Sequence, residues 1–162
     1  MSKKERIAVY PGSFDPPTLG HINLMERASR IADRLVVGVL INSSKNAMFT
    51  LDERVAMIRE ATSHLPNVEV CAFSGLLVDF AKKKRASFIV RGLRNTEDFE
   101  NERDMAQTNR TLDAELETVF LMTDPSLSFI SSSTVKELAS FGGDFASLVP
   151  ENVKNAITNK LS

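Results

Sequence analysis

Four short segments hold most of the residues suited to phosphate chemistry: YPGSFDPPTLGH at 10–21, NSSK at 42–45, RGLR at 91–94 and TDPSLSFISSS at 123–133. Each combines glycines or small hydroxyl residues with an isolated cation or a histidine, or supplies a run of hydroxyls. Thr18 and His21 are three residues apart, so in a first helical turn they face the same way. Arg91 and Arg94 share that spacing, and a guanidinium fork matches phosphate oxygens. Gly12 and Gly20 let main chain approach a ligand closely, and Gly20 stands just ahead of a helix whose free N–H groups attract anions. Ser131, Ser132 and Ser133 bring hydroxyls and amides to another helix start. The chemistry common to all four is recognition of a polyphosphate.

Taken singly, each feature has a plainer explanation. A histidine at a helix start can be hydrogen-bonded scaffolding, serines before a helix usually cap it, and two arginines in a loop can be solvated. His64, in a helix-end context with no partner motif, reads as structural. The functional case rests on convergence. Other phosphate and metal signatures are missing from the sequence: there is no P-loop, no G-x-G-x-x-G, no zinc-spaced Cys/His set and no G-x-S-x-G elbow.

The elements that must position these segments follow from apolar patterning. Strand-length apolar runs at 7–10, 35–41, 68–73, 88–90 and 119–122 are nearly continuous, as in parallel strands covered on both faces. Helical segments at 21–32, 51–65, 76–84 and 98–112 lie between them, with two more near 134–140 and 151–161. Thr50 and Glu53 form a capping box, and Thr134 with Glu137 suggests another. Gly142 and Gly143 close the helix before them, and Pro150 suits the first turn of the last. The alternation implies an α/β doubly wound, five-stranded parallel sheet. In such sheets ligands bind beyond the carboxyl ends of the strands, and all four segments follow a strand.

Bulk properties narrow the class. The chain has 162 residues, 43% hydrophobic and 25% charged, with a net charge of -1. These values fit one compact domain spanning 1–162, without the broad basic field that nucleic-acid binding demands. The basic run at 82–85 reads as a solvated helix C-terminus. Cys71, the sole cysteine, reads as a core thiol. With neither a signal-peptide pattern nor a membrane-length apolar stretch, a cytoplasmic location is expected and no membrane partner.

The segments also carry a resemblance. GSFDPPTLGH at 12–21 resembles the G-(S/T)-F-D-P-x-T-x-G-H signature of the nucleotidyltransferase superfamily, and ISSSTVK at 130–136 resembles its second, serine-rich element. Ser44-Lys45 with MFTLDER at 48–54, VRGLR at 90–94, DFE at 98–100 with Glu102, Asn109-Arg110 and PENV at 150–153 are similar to the phosphopantetheine adenylyltransferase family. The likeness runs in matching order from about residue 7 to the C-terminus.

That resemblance implies a Rossmann-like nucleotidyltransferase fold and transfer of adenylyl from ATP to 4'-phosphopantetheine. It implies that His21 stabilises the transition state, with Thr18, Lys45 and Arg94 also in the catalytic set. It puts Ser13, Phe14, His21, Gly92, Leu93, Arg94, Glu102 and Leu127, Ser128, Phe129, Ile130, Ser131, Ser132 and Ser133 on ATP. Ser13, Lys45, Leu77, Arg91 and Asn109 go to phosphopantetheine. Leu127 stands where relatives often carry an aromatic residue, and Asn101 where many carry tyrosine. A homohexamer with coenzyme A as feedback ligand is implied as well. The acceptor is already anionic, so the reaction needs alignment and charge stabilisation but no general base. Magnesium (Mg2+) is expected mainly on substrate phosphates, with no protein ligand named. Two alternatives stay open: a nucleotidyltransferase with nicotinate mononucleotide or glycerol 3-phosphate as acceptor, and a non-catalytic nucleotide-binding module.

Overall fold

The computed structural model describes residues 2–41 and 46–162. Lys45 lies outside the described residues. Strands β1 (Ile7–Gly12), β2 (Arg34–Leu40), β3 (Val68–Phe73), β4 (Phe88–Leu93) and β5 (Glu117–Met122) alternate with helices α1 (Leu19–Ile31), α2 (Leu51–Ala61), α3 (Leu77–Lys83) and α4 (Thr96–Leu112). Helices α5 (Ser132–Ser140) and α6 (Glu151–Leu161) follow β5.

All strand pairings are parallel, in the order β3-β2-β1-β4-β5. The chain winds outward from β1 to β3, then returns to lay β4 on the other side of β1. Strand order therefore reverses between β1 and β4, where such a sheet opens a ligand crevice. Side chains of β1 alternate between layers, as the two-residue strand period requires. Ala8 and Tyr10 pack with Ile22, Met25, Val55 and Ile58 of α1 and α2. Ile7 and Val9 pack with Val78, Phe80 and Ala81 of α3. With one handedness throughout, the crossovers that move outward, α1 and α2, cover one face, and α3, which returns past β1, covers the other. A third cluster, with Phe49, Met57, Ile130, Val135, Val153 and Ile157, fastens α5 and α6 beside α2.

Several boundaries differ from expectation. β4 extends through Arg91, Gly92 and Leu93, which pair in register with Phe120, Leu121 and Met122; these residues belong to the sheet, not to a loop after it. Thr50 and Glu53 cap α2 reciprocally as expected. Thr134 is not a cap: Ser131 occupies that position and accepts from the Thr134 amide at 3.1 Å. Pro150 sits at the cap of α6, one residue before its first turn. Within the basic run, Lys84 is tied to Glu69 of β3 and is not simply solvated. Cys71 beside it is half-buried, and burial raises its thiol above the ordinary value.

Candidate active site

The connection from β1 to α1 turns on Phe14, a non-glycine residue in the left-handed region with φ of 50°. Packing holds it there: the ring is buried, edge-on to Tyr10 at 5.4 Å and to His21 at 5.0 Å between centroids. A Cβ added at Gly12 would lie 2.8 Å from Phe14 Cζ. Gly12 is therefore required by Phe14 as well as by any ligand above it. At Gly20 an added Cβ meets only ordinary contacts, the nearest at 3.5 Å.

Thr18 and His21 form a reciprocal capping box at the start of α1. The Thr18 hydroxyl accepts from the His21 amide at 3.3 Å, and the Thr18 amide donates to His21 Nδ1 at 3.0 Å. Histidine here takes the place of the usual acidic residue of such a box. Because Nδ1 accepts a hydrogen bond, the neutral ring carries its proton on Nε2. Burial, with Arg94 and Arg91 adding like charge, pulls the imidazole pKa down to about 4. His21 is thus a neutral Nε2–H donor near pH 7.

β4 supplies the two arginines. Arg91 is held by Glu102 of α4 through Nε at 2.7 Å and Nη2 at 2.6 Å, and Nη1 donates to the Pro11 carbonyl at 3.0 Å. Burial opposes its charge, but the Glu102 carboxylate outweighs that and raises its pKa. Arg94 donates through Nε to Asp98 at 3.1 Å and through Nη1 to the Ile130 carbonyl at 3.4 Å. Burial pushes the Asp98 carboxyl up, and its hydrogen bonds to Arg94 bring it below its ordinary value. Between the arginines, Gly92 admits α1: an added Cβ would lie 2.3 Å from Leu24 Cδ1.

Two cavities meet over the ends of β1 and β4. The first, of about 240 Å³, is lined by Phe14, Thr18, His21, Gly92, Arg94, Leu127, Ile130, Ser131 and Ser132 among others. The second, of about 340 Å³, is lined by Ser13, Leu77, Glu102 and Asn109 with apolar Leu40, Phe73 and Met105. Pro11, Gly12 and Arg91 line both. A third, of about 350 Å³, joins Ser13, His21, Ser132 and Ser133 to Lys136. The first is thus mixed and cationic, and the second is apolar with a charged end.

Most residues implied by resemblance converge here, with shifts. Glu102 faces the second cavity and holds Arg91, although it is expected on ATP. Leu93 is buried in the sheet, its carbonyl accepting from the Thr123 amide at 2.8 Å. Ser128 donates to the Pro125 carbonyl at 3.1 Å, and Phe129 is exposed; neither side chain lines the three cavities. Ser131 combines both readings, capping α5 and lining the first cavity.

Tyr10, Asp98 and Lys136 fall inside the motifs named from sequence but were given no site role, and Met105 was not singled out. Lys136 lies 3.6 Å from the Asp15 carboxylate. A legible signal existed for Met105: Glu102, Met105, Ala106 and Asn109 share one helical face by their 3, 4 and 7 spacing, and all four line the second cavity. Asn109 is the one residue of α4 that is buried, and its side-chain amide makes no hydrogen bond among the described residues. Among those residues, no group of three or more His, Cys, Asp or Glu side chains could hold a metal ion. No described helix is long and apolar enough to cross a membrane.

The switch-point cleft, with its capped histidine and two arginines, lies within residues 9–138, which match the family model described as Cytidylyltransferase-like and place the chain among the nucleotidyltransferases. The chain is 52% identical over 155 residues to the phosphopantetheine adenylyltransferase of Lachnoclostridium phytofermentans, covering 96% of this chain and 95% of that one. It is 54% identical over 147 residues to the protein of that name from Picosynechococcus, covering 91% and 83%. The chain belongs to the phosphopantetheine adenylyltransferase family, a family of enzymes. A putative nicotinate-nucleotide adenylyltransferase from Vibrio parahaemolyticus shares the fold with a TM-score of 0.71 at 18% identity, covering 97% of this chain and 94% of its own.

Proposed function

We propose that this protein transfers the adenylyl group of ATP to 4'-phosphopantetheine, giving dephospho-coenzyme A and pyrophosphate. The observation that carries the reading is the meeting of two unlike cavities at Pro11, Gly12 and Arg91. One suits a nucleotide, and the other suits a long amide-containing chain that ends in a phosphate. An oxygen of the acceptor phosphate attacks the α-phosphorus of ATP while the bond to pyrophosphate breaks. No proton has to move and no covalent enzyme intermediate forms. The enzyme supplies alignment and donors to the developing charge.

In this reading His21 Nε2–H and Arg94 serve the phosphoryl oxygens, and Arg91 with Lys45 holds the acceptor phosphate. Asn109 serves the pantetheine amides. Lys136, Ser132 and Ser133 border the third cavity, a suitable exit for pyrophosphate. The carboxylates around the cleft are engaged: Asp15 by two main-chain amides, Asp98 by Arg94 and Glu102 by Arg91. A magnesium ion would therefore sit on the phosphate oxygens, where it neutralises charge.

The reading extends to a cytoplasmic enzyme built as one nucleotidyltransferase domain. Coenzyme A contains the pantetheine chain and an adenine nucleotide, so it suits both cavities as a feedback ligand. The homohexamer belongs to this reading through the family, and the exposed Phe99 and Leu112 of α4 offer apolar surface for association of copies. The test is pyrophosphate release from ATP with 4'-phosphopantetheine, nicotinate mononucleotide or glycerol 3-phosphate. Release with the first acceptor alone is expected; equal turnover with either rival removes the acceptor assignment.

A further inference from the structure

Arg54, one turn into α2, is 3% exposed and makes no ion pair among the described residues. Arg91 and Arg94 each have a carboxylate. Arg54 ends instead on main chain: Nη1 donates to the Ser13 carbonyl at 2.5 Å and to the Leu40 carbonyl at 3.2 Å. Its Nε is buried without a partner. A buried guanidinium lacking a counter-charge is an expensive way to fill space, and an apolar side chain would do so at less cost. Its geometry suggests a role beyond packing.

Ser13 lies where the second and third cavities adjoin. Arg54 fixes the carbonyl of that residue to the end of β2. On the other side of Phe14, the Asp15 carboxylate accepts from the Met48 amide at 2.8 Å and the Phe49 amide at 2.9 Å. The loop is thus held against the α2 side just before and just after Phe14, whose ring meets His21 edge-on. Movement at Ser13 would carry the acceptor cavity wall and the Phe14 backing of His21 with it.

We propose that Arg54 is a positioning residue for adenylyl transfer: it pins the Ser13 peptide and so sets the alignment between acceptor, nucleotide and His21. The inference rests on the adenylyl-transfer reading. Small misplacements remote from the reacting atoms can cost about 10²-fold in rate. Because one nitrogen serves both carbonyls, a lysine ammonium could keep part of the arrangement.

The experiment compares Arg54→Met and Arg54→Lys with the parent by kcat, both KM values and melting temperature, assayed well below every melting point. Arg54→Met is expected to lower kcat by about 10²-fold and Arg54→Lys by roughly tenfold, with KM for ATP within about twofold. A folded Arg54→Met enzyme with kcat within about twofold of the parent overturns the proposal. So do equal losses in both variants that track melting temperature, the mark of a merely structural role. If Arg54→Met does not fold, Arg54→Lys decides: reduced kcat at the parental melting temperature upholds positioning, and parental kcat overturns it. A parent inert with phosphopantetheine overturns the adenylyl-transfer reading itself, a result that no variant could mimic.

Discussion

The Thr18 main-chain amide donates to His21 Nδ1 at 3.0 Å, and that bond decides which ring nitrogen faces the cleft. A neutral ring with Nδ1 engaged as acceptor must present Nε2–H, the donor form. With the pKa pulled to about 4 by burial, Arg94 and Arg91, the ring stays neutral well below its ordinary range. The chain has only two histidines, so removing the second by His64→Gln leaves a single imidazole to follow by ¹⁵N NMR. The expected spectrum is the Nε2–H tautomer, unchanged from pH 7.5 to 5.5. A midpoint near 6.5 would refute the donor assignment.

The same depressed pKa has a stability consequence. Between pH 6.5 and about 4 the unfolded chain protonates this histidine while the folded chain does not. The unfolded state then binds more protons, so stability falls as pH drops through that window. Urea unfolding at pH 7 and pH 5 should show a smaller loss for His21→Asn than for the parent. Equal losses would mean that His21 titrates alike in both states.

Arg91 is gripped by Glu102 along one edge, which leaves N–H groups on Nη1 and Nη2 for a ligand. Glu102→Ala should free the guanidinium to wander and raise KM for phosphopantetheine by about tenfold, given charge-assisted bonds worth roughly 1.5–3 kcal/mol. Arg91→Ala should raise it further, and KM for ATP should change less in both. Steady-state kinetics with each substrate varied in turn checks the order; a larger effect on ATP would reassign Arg91 to the nucleotide.

Gly92 faces Leu24 with no room for a Cβ. Gly92→Ala should cost about 1–3 kcal/mol by overpacking and push Leu24, a wall of the first cavity, toward the nucleotide. Melting temperature and KM for ATP should both worsen, and a second substitution, Leu24→Ala, should recover part of each. No recovery would place the strain elsewhere.

Periodicity exposed the five strands and their parallel class, because parallel strands buried on both faces leave uninterrupted apolar runs such as that of β2. It could not show that Arg91 and Gly92 lie within β4. The arginine breaks the apolar run, and only pairing with β5 carries the strand onward. Thr18 and His21 were legible as a pair by spacing. Their reciprocal cap was not, since histidine is an unusual acceptor for the cap amide. The Glu102–Arg91 pair was not legible for a related reason: a carboxylate eleven residues from Arg91 becomes its partner only through the way α4 folds back over β4. Arg54 was legible only as the last residue of the 48–54 motif, with no role attached, because its target is a carbonyl forty-one residues away.

The central claim is that a neutral histidine donor, set by Thr18, carries the transfer. Its most direct test is kcat for pyrophosphate release by His21→Ala, measured beside KM for ATP and melting temperature on one preparation. Loss of a single such donor predicts a fall in kcat of at least about 10²-fold, with KM for ATP little changed because the bond strengthens in the transition state. A well-folded His21→Ala enzyme turning over near the parental rate would contradict the account.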